Sequence, residues 1–230
     1  MLDTVLFELE GVLADTATAR REALLASLRT NGVELTAQEY HETCAGLDLE
    51  AAARAAHRLR ARPLDDTGAA LCARRADDLY RASLGKGLVL VEGAREALER
   101  LHAVTRLGLV TRASRAEAGF VLSLARLEPL FTCVVAAEDA RAAKPSPEPY
   151  RVALQRLRRR ASPGRGGTIV AVEDGLPGIR AARAAGIPCV VVGDVPAHVA
   201  LEADGYLPAI TGLTPAGLLA IAAPRSEPIA

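Results

Sequence analysis

The stretch Thr4-Val5-Leu6-Phe7-Glu8-Leu9-Glu10-Gly11-Val12-Leu13 decides the fold. It opens as a continuous apolar run without alternation, which marks a strand covered on both faces, as in a parallel sheet. It then meets two carboxylates and a glycine. In strand geometry alternate side chains share a face, so Glu8 and Glu10 are expected to point into one pocket. Two like charges placed together are costly unless a cation or a shared proton intervenes. The same pair would also serve as two solvated glutamates at a strand end.

Four further runs repeat the pattern, at 107–111, 133–136, 169–172 and 189–192. Helical stretches at 94–103, 114–126, 147–159 and 177–185 separate them. Pro147 stands near one helix start, where a missing N–H does no harm. Gly186 follows another helix as a C′ residue. Alternating strands and helices predict a doubly wound, Rossmann-like α/β sheet. Residues 15–87 read differently: only helices, at 17–30, 39–44, 49–61 and 69–83. The expected organisation is therefore an α/β core of residues 1–14 and 88–230 with an all-α cap domain, residues 15–87, inserted after the first strand. Gly85, Gly87 and Gly93 cluster at the expected return and suit a hinge. The tail after Ala223 is expected to fray.

Bulk properties exclude several classes. The 230 residues are 50% hydrophobic and only 3% aromatic, so Leu, Val, Ile and Ala must fill the core. Basic and acidic residues balance at 28 each, which does not suit a nucleic-acid partner. Cys44, Cys72, Cys133 and Cys189 lie far apart, so zinc and redox-pair readings fail and buried thiols are expected. The early Glu8 and Glu10 break any signal-peptide pattern, and no apolar run approaches membrane-spanning length. A soluble cytoplasmic chain without a membrane partner is expected.

Three more segments carry chemistry at strand ends, where open α/β sheets bind ligands. Gly108-Leu109-Val110-Thr111 closes a strand on a hydroxyl before Arg112-Ala113-Ser114. Helix N-terminal amides with a hydroxyl suit an anion, while Thr111 or Ser114 would equally cap the helix. Lys144, in Ala143-Lys144-Pro145-Ser146-Pro147-Glu148-Pro149-Tyr150, is one of two lysines, the other being Lys86. An ammonium there would neutralise a phosphate oxygen and a carboxylate together. Val172-Glu173-Asp174-Gly175 ends a strand in paired acids, suited to Mg²⁺ or, through Asp174, to a helix cap.

The set reads acid-x-acid, then Thr, then Lys, then Glu-Asp. This order resembles the four motifs of the haloacid dehalogenase-like hydrolases. Phe7 to Leu13 with Asp15-Thr16 is similar to the family opening, except that its two aspartates are glutamates here. Val91-Glu92-Gly93-Ala94-Arg95-Glu96-Ala97-Leu98 resembles the segment re-entering the core. Lys144 to Tyr150, and Glu173-Asp174 with Gly178, Ala181, Ala182, Ala185 and Gly186, match closely. The helical insertion is similar to the cap of the phosphoglycolate phosphatase and β-phosphoglucomutase branch.

The resemblance implies a Mg²⁺-dependent phosphatase of a small phosphorylated metabolite. It assigns Glu8 as nucleophile and Glu10 as acid and base, whose backbone carbonyl also binds metal. Thr111, Arg112 and Lys144 would hold the phosphoryl group. Glu8, Glu10 and Asp174 would hold Mg²⁺, with Glu173 as neighbour. In the helical insertion Arg20, Gly46 (in Ala45-Gly46-Leu47-Asp48), Arg54 and His57 would meet the substrate. Each glutamate displaces its carboxylate by one methylene, about 1.5 Å. A misplacement of about 1 Å costs roughly 10²-fold in rate. Impaired turnover is expected, with a catalytically silent binder of metal and phosphate as the alternative. Dehalogenation fits less well, because that branch uses an aspartate nucleophile without the metal acid pair. Mutase chemistry also fits less well, because Arg20 stands where the mutases carry His.

Overall fold

A computed structural model describes residues 1–159 and 167–223. The expected fraying falls on residues 224–230, outside the described ones. The chain forms two compact units: Met1–Asp15 with Leu90–Ala230, and Thr16–Val89.

The first is an α/β unit. Its elements are β1 (Leu2–Phe7) and, after residues belonging to the second unit, α5 (Ala94–His102), β2 (Arg106–Val110), α6 (Arg115–Leu124), β3 (Phe131–Val135) and α7 (Glu148–Arg159). Then come β4 (Thr168–Glu173), α8 (Leu176–Ala184), β5 (Cys189–Val192), α9 (Ala197–Ala200), β6 (Gly205–Leu207) and α10 (Pro215–Ala222). All strands are parallel, in the order β3-β2-β1-β4-β5-β6. This is the doubly wound order, whose ligand crevice lies where the winding reverses, outside the C-terminal ends of β1 and β4. The central residues of the core strands are apolar because helices cover both faces. Val5, Leu6, Phe7, Val170, Ala171 and Val172 are all fully buried.

The register fixes the crevice. Phe7 lies opposite Leu109 on β2 and Val172 on β4. The next residues, Glu8, Val110 and Glu173, therefore form one row across three neighbouring strand tips. Beyond it the chain turns at Gly11 (φ +77°), where a Cβ would stand 2.3 Å from Asp174 Oδ2, so only glycine fits. Ala14 pairs with Leu90, and Val91 donates its N–H to Leu13 O at 3.0 Å, closing the gap left by the inserted residues. Of the glycines expected at a hinge, Gly85 lies inside the last helix of the insertion, Gly87 ends that helix, and Gly93 begins α5.

The second unit is all helical: α1 (Ala17–Arg29), α2 (Ala37–Thr43), α3 (Leu49–Leu59) and α4 (Asp66–Lys86). Side chains of Thr36, Asp48 and Asp65 cap α2, α3 and α4, accepting from backbone N–H groups three residues on. Its core is small: Leu24, Leu28, Val33, Cys44, Ala52, Ala53, Ala56, Cys72 and Ala76. Many of these residues are alanines, which let helices approach closely. All four cysteines are buried and none forms a disulfide. No described helix is long and apolar enough to cross a membrane.

One ion cluster ties β3, α6 and α7 together. Asp139, in the turn after β3, accepts from Arg156 at 2.5 and 3.0 Å, from Arg115, and from Ala136 N at 2.9 Å. The Arg156 bonds, opposed by burial and aided by Ala136 and Arg115, hold the Asp139 carboxyl down at about 2. A depressed folded pKa stabilises fully above the usual carboxylate value of about 3.9 and is lost as pH falls toward the folded one. Both arginines are partly exposed and screened, so Asp139→Asn should cost about 1 kcal/mol at neutral pH. Urea denaturation should show that cost shrinking between about pH 4 and pH 2.

Candidate active site

At the reversal of winding, the Lys144 ammonium fills the row of strand tips. Nζ donates to Glu8 Oε2 at 2.6 Å, to Val110 O at 2.7 Å and to Glu173 Oε1 at 2.5 Å. The other Glu8 oxygen accepts the Leu9 N–H at 2.7 Å. Tyr150, on the first turn of α7, donates its hydroxyl to the Glu173 oxygen that Lys144 also reaches. The Lys144 nitrogen stands 5.2 Å from the Tyr150 ring centre. Lys144 and Glu8 are buried at 6% and 5% exposure, and Glu173 and Tyr150 at 1% and 0%. Charges this deep persist only when paired.

Burial opposes the charge on Lys144, but Glu173 and Glu8 outweigh it and raise its pKa. For Glu173, burial leads and pushes the carboxyl up to about 7; Lys144 pulls it down and Glu8 pushes it up. Two carboxylates thus share one ammonium in a dry site. Burial and the Glu173 charge hold the Tyr150 hydroxyl well above its usual range, so it stays a donor.

Thr111 and Asp174 follow Val110 and Glu173 directly along the chain. Thr111 is buried; its backbone N–H donates to Val135 O at 2.9 Å, and Oγ1 accepts from Ala113 N at 3.1 Å. Ser114 caps α6 through Glu117 N. Arg112 is exposed and makes no hydrogen bond or ion pair among the described residues. Asp174 follows β4 at an exposed position, and Gly175, not Asp174, is the cap residue of α8. Surrounding protein and then the Glu8 charge push the Asp174 carboxyl up to about 6, against Lys144 and with a smaller push from Glu10. Water reaches this side chain and screens that field.

β1 ends at Phe7, so Glu8 and Glu10 lie just beyond the strand rather than alternating within it, and both act on the Asp174 carboxyl. Glu10 occupies a bridge position opposite Ala14. Glu173, expected beside the metal acids, bonds Lys144 directly. In the helical unit, His57 is 3% exposed on the inner face of α3, one helical turn from Ala53, with Nδ1 3.0 Å from Arg62 O. It is not presented to a substrate. Arg54 pairs with Asp66 at 2.7 Å and reaches Leu64 O, Arg20 is half-buried on α1, and Gly46 is exposed with φ +82°. Tyr150 was missed as a site residue. The available signal was a tyrosine on a buried helix start, whose hydroxyl requires a partner.

Oxygen donors are chemically right for Mg²⁺. Among the described residues no three Asp, Glu, His or Cys side chains are grouped as a metal site, and each Glu8 oxygen already accepts one hydrogen bond, so the side chains as arranged offer no complete cage of their own.

The centre is also walled by α8. A Cβ on Gly178 would lie 2.0 Å from the Glu173 carboxylate, so the helix approaches that side chain as only glycine allows. Gly178→Ala should therefore destabilise the protein by about 1–3 kcal/mol. Gly119→Ala, inside α6 with nothing within 4 Å, should stabilise it by about 0.5–1 kcal/mol. Paired urea titrations check the contrast; equal effects would contradict the packing around Glu173.

Residues 5–192 match the family described as haloacid dehalogenase-like hydrolase. Protein CbbY of Cereibacter sphaeroides is 29% identical over 208 residues, covering 83% of this chain and 84% of that protein. Validoxylamine A 7'-phosphate phosphatase of Streptomyces hygroscopicus subsp. limoneus is 29% identical over 214 residues, covering 92% and 95%. The crystal structure of CbbY from Rhodobacter sphaeroides in complex with phosphate superposes with a TM-score of 0.77 at 26% identity, covering 95% of this chain and 99% of that one. With the four motifs in order, the doubly wound sheet and this match over most of its length, the chain belongs to the haloacid dehalogenase-like hydrolases.

Proposed function

We propose that this chain is a slow phosphomonoester hydrolase of a small phosphorylated metabolite, with its centre at the row Glu8, Val110 and Glu173. The buried Lys144 between two carboxylates carries this reading. A carboxylate, an ammonium and a hydroxyl-bearing helix entry lie at the crevice where this sheet order takes ligands. The phosphatase name of one relative and the phosphate in the CbbY crystal structure support the same class.

In this reading Glu8 attacks phosphorus and the ester oxygen leaves, giving an acyl phosphate that water then cleaves. Glu10 gives a proton to the leaving oxygen and takes one from the water. Thr111 and Lys144 offset charge on the phosphoryl oxygens, with Arg112 at the rim. Mg²⁺ belongs to the family resemblance, but the carboxylates as arranged do not make its cage. The helical unit serves as a cap, with Arg20, Gly46 and Arg54 its candidates for substrate contact. A second reading, a silent binder, is favoured by one observation: both oxygens of the Glu8 carboxylate are already engaged.

p-Nitrophenyl phosphate hydrolysis, with Mg²⁺ and with EDTA, separates the two. Slow turnover by the wild type, lost in Glu8→Ala and raised by about 10²-fold in Glu8→Asp with Glu10→Asp, is the expected result. A dead wild type revived by the double change would favour the silent binder.

A further inference from the structure

A cavity of about 480 Å³ lies along β3, lined by Arg115, Thr132, Cys133, Val134, Arg156 and Arg159. β3 is an edge strand, and β2 stands between it and β1, so the cavity shares no residue with the row Glu8, Val110 and Glu173. Its lining holds three guanidinium groups and no acid. Two of them are set in place by Asp139. Arg156 donates to both oxygens of that carboxylate, at 3.0 and 2.5 Å, and to Val134 O at 2.6 Å, while Arg115 donates to the same carboxylate. A guanidinium has five N–H donors, so both keep donors for a ligand. Arg159 lies three residues beyond Arg156, on the same side of α7, and makes no hydrogen bond or ion pair among the described residues. Residues 160–166, next in the sequence, include Arg160 and Arg165 and no acid. Glu138 accepts the Arg115 backbone N–H at 2.9 Å and does not line the cavity.

Basic residues in the last turn of α7 suit the negative end of that helix. This accounts for exposed arginines there. It does not account for Arg115, from the first turn of α6, meeting them at one cavity. We propose that this cavity is a second anion site, separate from the crevice, which takes a small organic phosphate. Charge and shape favour phosphate over carboxylate. A phosphoryl group offers three oxygens and nearly two negative charges to three planar forks. A carboxylate offers two oxygens and one charge. The volume falls in the range of small-molecule sites, roughly 300–1,000 Å³, and Thr132, Cys133 and Val134 leave room for a short organic body.

The probe is phenylphosphonate, whose P–C bond a phosphomonoester hydrolase does not cleave. It is titrated in EDTA into the ¹⁵N-labelled full chain. Amide resonances of Thr132, Cys133 and Val134 report the cavity, and those of Gly11 and Asp174 report the crevice. Saturable shifts at Thr132, Cys133 and Val134 are expected. Arg115→Ala and Arg159→Ala should each weaken the affinity read there by about 10-fold. Benzoate should bind there at least about 10-fold more weakly than phenylphosphonate. Arg159→Ala removes no bond among the described residues, so its otherwise unchanged amide spectrum serves as the control for folding. Shifts confined to Gly11 and Asp174 would overturn the proposal, and so would no saturable shift at all. An affinity unchanged in both alanine variants, or benzoate binding as tight as phenylphosphonate, would overturn it too.

Discussion

A single ammonium, with no bulk water around it, is shared by three acceptors that the sheet register brings into one row. A buried cation stays charged only where opposite charge and hydrogen bonds replace its hydration. The order of β2, β1 and β4 provides this by setting Val110, Glu8 and Glu173 side by side. Removing one member of such a set costs about 3–5 kcal/mol, because another charge is left buried without compensation. The packing of α7 and α8 follows from the same constraint. The first brings the Tyr150 hydroxyl, and the second brings Gly178 against the carboxylate.

This arrangement changes what two extra methylenes mean. Loss of attack geometry is one consequence of glutamate at position 8. The hydrogen bonds show a second: the longer side chain reaches the ammonium and the Leu9 N–H together and uses both its oxygens. Glu10, bridged opposite Ala14 in the turn, is set by different contacts, so the two glutamates have separable consequences.

Much of this was legible in residues. Five strands announced themselves as unbroken apolar runs, because both sheet faces are covered. β6 did not: Gly205-Tyr206-Leu207 is a three-residue edge with Tyr206 at 45% exposure, too short and too polar for that signal. α10 also escaped notice, since Leu218, Leu219 and Ile221 crowd a short tail segment without clear periodicity. Glu8 and Thr111 were readable because their motifs sit at strand ends, and Lys144 because it is one of two lysines and stands before a proline-rich helix entry. Glu173 and Asp174 were readable as a pair, but which faces the lysine depends on where β4 ends, a matter of one residue. His57 misled because an alanine-rich helix hides which face is inward. Spacing puts it on the Ala53 face, but only packing shows that this face is the inner one.

The most direct test of the central pair is a double-mutant cycle on folding stability, using Glu8→Gln, Lys144→Met and the two together. A buried, mutually dependent pair predicts that the double variant is more stable than the sum of the single losses implies, by more than about 1 kcal/mol. Additivity within about 0.5 kcal/mol would mean that Glu8 and Lys144 do not depend on each other, and would contradict the account.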